Sequence, residues 1–460
     1  MYTSYIGKKF LKLYNEKTNQ KFSARQFFDD VFFPLFFDNE KHLMHVSNSP
    51  FFQKPSAKAM EGGLTKSQAQ LKKLHSDILV EEPNMAIFVG YAAKDMEGTT
   101  SGQLTNIDFK IDPEEMYASW IGEALGMGVS GGFVILLGMD EVLWALFEGW
   151  KIYRKYLQQT PNLKDRQIET WNGKWITHFF SDKYNPAEPN EQFELGTDQV
   201  LGKLAITTQK WSEVIFALSK KFPTQEPLIY GYNLSRTNTT LGFIKIYLPD
   251  VEKMFEFRDK IFLNKKDAVL TDDEISRLQT YYNFKGACKL GTIGLKALEP
   301  GKLRDFMPPP FGKGDDYKFS DENSYKQYEL YKIWIIAMLN KIELNELAAK
   351  VAQALWDFER NAKEIELDDA DEITSLADVA QKMKAKDRGK TGKAKLTDNV
   401  RSALSLVKFI DALNAVMEKG NVETDVFLLA KEEALKMPMD LFPLFISLIK
   451  FEYTYIKSKK

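Results

Sequence analysis

Pro308-Pro309-Pro310-Phe311-Gly312-Lys313-Gly314, with Pro300 shortly before it, is the clearest punctuation in the chain and separates two unlike parts. Successive prolines remove backbone donors, so neither a helix nor a central strand runs through this stretch. From about Ser320 onward, residues 325–339, 344–358, 398–417 and 441–456 repeat apolar side chains every three or four positions. That spacing predicts long helices packed as a bundle.

Before the prolines the pattern is mixed. Phe27, Phe28, Phe32, Phe33, Phe36 and Phe37 crowd around Pro34, which is expected to break or kink the segment, and 67–79 has helical spacing. Residues 85–91 and 104–111 read as two strands joined by a polar tip, and Asp112-Pro113-Glu114-Glu115 starts a helix over 113–125. A buried strand at 133–137, helices at 141–156 and 211–220, and a hairpin pairing 228–232 with 241–248 follow. Asn172-Gly173 between Trp171 and Trp175 predicts a turn. The glycines from Gly126 to Gly132 lack the Lys-Ser/Thr ending of a phosphate loop and read as packing or turn positions. The expected fold class is therefore α+β, a mixed α/β N-terminal portion followed by a C-terminal helical bundle. Its expected domains are an aromatic-rich helical region at 1–80, an α+β domain at 81–315 and a bundle at 316–460.

The 460 residues carry a net charge of -2, with 44% hydrophobic and 27% charged residues, which excludes wholesale disorder and a uniformly basic surface. A single cysteine, Cys288, excludes an intramolecular disulfide framework, and cations beside it are expected to lower its pKa. The apolar stretch 124–146 is interrupted by five glycines and carries Asp140 and Glu141, so no membrane span is expected. A cytoplasmic location fits this usage, and the start of the chain lacks the apolar run of a secretory signal.

The sharpest charge feature is residues 382–395, where Lys382, Lys384, Lys386, Arg388, Lys390, Lys393 and Lys395 stand against one acid, Asp387. Such a run reads as a mobile loop able to approach phosphates, or as a solvated loop pairing with the acidic stretch 364–372. A second pattern is Asp95 followed by Asp108-Phe109-Lys110, the order in which one nuclease superfamily presents two carboxylates for Mg²⁺ and a lysine for the attacking water. Glu114 or Glu115 would supply a further acid. Between these acids, Gly98, Thr99, Thr100, Ser101, Gly102, Gln103 and Asn106 combine close backbone approach with groups that match base edges; an ordinary hairpin tip has the same composition. His42, His45 and His178 have no partner spacing that makes a triad or zinc site. Leu241-Gly242-Phe243-Ile244-Lys245-Ile246 faintly resembles the central strand of RNA-recognition modules, without the leading cation or aromatic partner.

An α+β front portion, a helical bundle and a basic loop together resemble the large subunit of type I CRISPR effector complexes. The resemblance implies a non-catalytic subunit of a prokaryotic antiviral complex, with target DNA, guide RNA and other effector-complex proteins as partners and no cofactor. It assigns residues 98–103 to groove reading and 382–395 to holding a displaced strand. The alternative is a Mg²⁺-dependent restriction-like endonuclease using Asp95, Asp108 and Lys110, and a plain interaction protein docking through residues 27–37 is a third reading.

Overall fold

The computed structural model describes residues 1–60, 63–91, 111–262, 270–360, 392–419 and 422–459. They form two compact units, Met1–Glu252 with Tyr282–Ala297, and Lys253–Tyr281 with Leu298–Lys460.

In the first unit, helix α1 (Tyr2–Thr18) lies along a later helix at very close range. Between them in sequence come α2 (Lys66–Val80), whose Thr65 and Gln68 form a capping box, and then the partner itself, α3 (Pro113–Glu123), capped by Asp112. A Cβ on Gly7 would stand 1.8 Å from the Ala118 carbonyl oxygen, and one on Gly122 would stand 1.8 Å from that of Thr3. Only glycine lets the two backbones cross this closely.

Pro34 does not end its helix. The backbone is α-helical over Ala24–Phe27, π-helical over Phe28–Phe32 and α-helical again over Phe33–Phe36, with Phe33 N–H donating to Phe28 O. The widened turn directly before Pro34 takes up the missing donor. The phenylalanines form core: Phe32 stacks on Phe36 at 4.0 Å, Phe37 on Phe51 at 3.9 Å, and Trp120 and Trp150 meet them edge-on. Each such ring contributes roughly 2–3 kcal/mol by burial.

Residues 85–91 are turns, not a strand. Ile87, Phe88, Val89 and Tyr91 are buried, but the backbone polar groups there find side-chain partners on helices instead of a neighbouring strand. The expected second strand at 104–111 lies outside the described residues except for Ile111, which has no regular structure.

The sheet begins with β1 (Met127–Val129) and β2 (Phe133–Leu137), turning at Gly131 and Gly132, both at positive φ. A separate hairpin consists of β3 (Thr197–Val200) and β4 (Lys203–Ile206). Then β5 (Leu228–Asn233), β6 (Arg236–Ile246) and β7 (Thr292–Ile293) complete the five-stranded order β1-β2-β5-β6-β7, antiparallel except for β6 with β7. Around it pack α4 (Asp140–Gln159), α5 (Ile168–Phe179) and α6 (Trp211–Lys221).

The Asn-Gly pair expected to turn lies inside α5. Asn172 Nδ2 donates to the carbonyls of Ala124 at 2.8 Å and Gly126 at 2.9 Å, and a Cβ on Gly173 would stand 2.3 Å from Gly128 O. Both residues serve a helix pressed onto β1, a tertiary demand that overrides local turn preference.

Helix α7 (Leu248–Phe262) contains the point where the chain passes from one unit to the other. The second unit holds α8 (Glu322–Leu339), α9 (Glu343–Arg360), α10 (Gly392–Arg401), α11 (Leu406–Lys419), α12 (Thr424–Lys436) and α13 (Phe442–Ser458). Helix α13 is buried on all sides from Phe442 to Thr454 and packs against α8 and α9. Across this core the Lys332 ammonium meets the Glu452 carboxylate, which also accepts from Tyr328 OH at 2.8 Å. The single helix expected over 398–417 is two, divided after Arg401, with Ser405 Oγ accepting from Lys408 N–H at the new start. Helix α12 was not expected, because its buried face is built on the small side chains Ala430 and Ala434 with Phe427, while Leu428, Leu429 and Leu435 are exposed. Among the described residues no helix is long and apolar enough to cross a membrane.

Candidate nucleic-acid interface

Asp95, Gly98, Thr99, Thr100, Ser101, Gly102, Gln103, Asn106, Asp108 and Lys110 lie outside the described residues, but both flanks of their segment are fixed on α3. On the incoming side Val89 N–H donates to Ser119 Oγ at 3.0 Å, Trp120 Nε1 donates to Ile87 O at 3.0 Å, and Thr3 Oγ1 donates to Val89 O at 2.8 Å. On the outgoing side Asp112 accepts from Glu114 N–H at 3.0 Å. The two acids expected to be spare are engaged: Glu114 accepts from Ala24 N–H at 2.6 Å, and Glu115 pairs with Lys8.

One cluster beside this helix was missed in the sequence. His75 of α2 has Nδ1 2.7 Å from Tyr117 OH, and its Nε2 lies 3.1 Å from Asp29 Oδ1. Burial pushes the Tyr117 phenol up to about 12. The three residues are far apart in sequence and tie the π-helical segment, α2 and α3 together. The other histidines are held in place: His45 lies 3.1 Å from Ser47 Oγ, His178 lies 3.0 Å from Pro189 O, and burial lowers His42 to about 4. Burial also raises Cys288 to about 11, so its flanking cations do not activate it.

A second feature missed in the sequence is a pair of buried carboxylates. Burial, reinforced by Glu169, raises Glu123 to about 8, and burial raises Glu169 to about 7. Tyr232 OH donates to Glu123 at 2.8 Å. Sequence spacing offers no sign of this, because α3, α5 and β5 each contribute one group.

In the second unit, Lys382, Lys384, Lys386, Arg388 and Lys390 lie outside the described residues; Lys393 and Lys395 do not. Those two were expected in a loop and instead lie in helix α10. Lys393 Nζ sits 5.2 Å from the Phe358 ring centroid, and Lys395 is exposed with no carboxylate partner among the described residues.

The far end of α10 is firmly held. Thr397 Oγ1 donates to Glu359 at 3.0 Å, Tyr453 OH donates to the same carboxylate, and the Arg401 guanidinium lies 3.9 Å from the Tyr453 ring centroid while pairing with Asp398. Burial lowers the Arg401 pKa, and the neighbouring Tyr453, Asp316 and Glu359 partly offset that shift. A cleft of about 380 Å³ opens here, lined by Asp316, Tyr317, Glu359, Asp398, Arg401 and Lys457 among others. Lys393 and Lys395 thus stand on a helix anchored by this polar network. No protein-family model, curated protein or solved structure matches the chain.

Proposed function

We propose that the chain is a non-catalytic nucleic-acid-binding subunit of a prokaryotic antiviral effector complex, the class its resemblance to the CRISPR large subunit implies. The observation that carries this reading is the position of Lys393 and Lys395 on a helix that Thr397 and Arg401 lock into its unit. They close a run of seven cations against one acid in a chain of net charge -2. So concentrated a run of cations suits an external polyanion, and phosphate contact of this kind is strongly salt-dependent and largely blind to sequence. Target DNA and guide RNA are the ligands that the resemblance supplies.

The test is binding of labelled single-stranded and duplex DNA at low and moderate salt, by the wild type and by a variant with Lys382, Lys384, Lys386, Lys390, Lys393 and Lys395 all changed to Gln. The reading predicts binding that the variant loses. Equal binding by both, or none at low salt, overturns it. Mg²⁺-dependent cleavage of plasmid that disappears in Asp108→Ala would replace it with the nuclease reading.

A further inference from the structure

In the sequence, Phe243 lacks the aromatic partner that a base-stacking strand needs; in the fold, β5 supplies it. Tyr230 stands directly opposite Phe243 in the β5–β6 register, with ring centroids 5.1 Å apart. The alternate residues Ile229, Ile244 and Ile246 are buried, so Tyr230, Phe243 and Lys245 share the open face of the hairpin. Helix α1 adds two more rings. Tyr2 lies 5.0 Å from both Tyr230 and Phe243, and stacks on Tyr5 at 5.5 Å with an interplanar angle of 20°. Phe243 and Tyr5 are each 56% exposed, so the four rings form one continuous patch whose two outer members face solvent.

We propose that this patch is a stacking platform for unpaired bases of a single-stranded nucleic acid, a proposal that rests on the nucleic-acid reading above and adds a second contact surface to it. Charge favours that occupant over an apolar protein segment. Lys245 follows Phe243 on the same face, and α1 carries Lys8, Lys9 and Lys12 one to two turns beyond Tyr5. These lysines pair with Glu226, Glu115, Asp140 and Glu16, surface partners that contribute little and that phosphates can displace. Bare aromatic faces flanked by cations fit bases and backbone together, whereas a duplex keeps its bases stacked internally.

The experiment measures fluorescence anisotropy of a labelled single strand of about 20 nucleotides and of the matching duplex, long enough to span one such site. Wild type is compared with Phe243→Ala, Phe243→Leu, Tyr5→Ala and the six-lysine variant. Phe243→Ala and Tyr5→Ala are each expected to weaken single-strand binding about tenfold, the size of one base–aromatic stack. Phe243→Leu, which keeps apolar bulk without a π face, should lose nearly as much, and duplex binding should move less than about twofold in all three. Should the aromatic variants bind single strands like wild type while the six-lysine variant does not, the platform is refuted and the nucleic-acid reading stands. Full affinity in Phe243→Leu refutes stacking, and no binding by wild type overturns both. Photocrosslinking of wild type to a bromouracil-substituted strand gives a readout independent of variant folding. Adducts on Phe243 or Tyr5 are expected, and adducts confined to other peptides refute the platform.

Discussion

Glu123→Gln isolates the titration of one buried carboxyl group. The sign follows from the direction of the shift: in the folded chain Glu123 is raised to about 8 from an ordinary value of 4.5, so the folded state keeps a proton that the unfolded state has released. Its contribution to stability is complete below pH 4.5 and is lost as pH rises toward 8. His42 has the opposite sign, since burial lowers it from 6.5 to about 4 and stability rises with pH over that interval. Above pH 6.5 the carboxyl slope is therefore no longer opposed by His42. At about 1.4 kcal/mol per pH unit for each proton, Glu123 alone lowers stability by roughly 2 kcal/mol between pH 6.5 and 8. The amide of Glu123→Gln still accepts from Tyr232 but does not titrate. Urea unfolding followed by tryptophan fluorescence reads this unit well, since six of the eight tryptophans lie in it. Between pH 6.5 and 8 the wild type is expected to lose about 2 kcal/mol of stability relative to the variant. Parallel stability curves for the two proteins across this range would refute the reasoning.

Two further predictions concern packing and a buried ion pair. Gly7→Ala forces a methyl group against the Ala118 carbonyl and should cost about 3 kcal/mol by pushing α1 off α3, visible as a lowered unfolding midpoint; a loss below about 0.5 kcal/mol would contradict the close crossing. Lys332→Met strands the Glu452 carboxylate in the core of the second unit and should cost about 3–5 kcal/mol in denaturant unfolding, while adding Glu452→Leu should restore most of it; a double variant no more stable than the single one would contradict that account.

What the sequence made legible was strongly periodic. The α+β class, the helices of α2, α6, α8, α9 and α13, the strand β2 and the β5–β6 hairpin follow from one buried face repeated at a fixed spacing. Local reading failed where distant residues decide. Residues 85–91 look like a strand but satisfy their backbone with Thr3, Ser119 and Trp120, and Asn172-Gly173 looks like a turn but seats a helix on β1. The basic run was visible from charge alone, yet the helical placement of Lys393 and Lys395 was not, because the lysines there dilute the apolar pattern. The aromatic partner of Phe243 was hidden for a simpler reason, since it comes from the neighbouring strand.

The most direct test of the central claim is the salt dependence of single-strand affinity for wild type against Lys393→Gln/Lys395→Gln. If both lysines contact phosphates, the variant's slope of log affinity against log salt is shallower by about 1.4, the release of two counterions at roughly 0.7 each. An unchanged slope would contradict the placement of nucleic acid at Lys393 and Lys395.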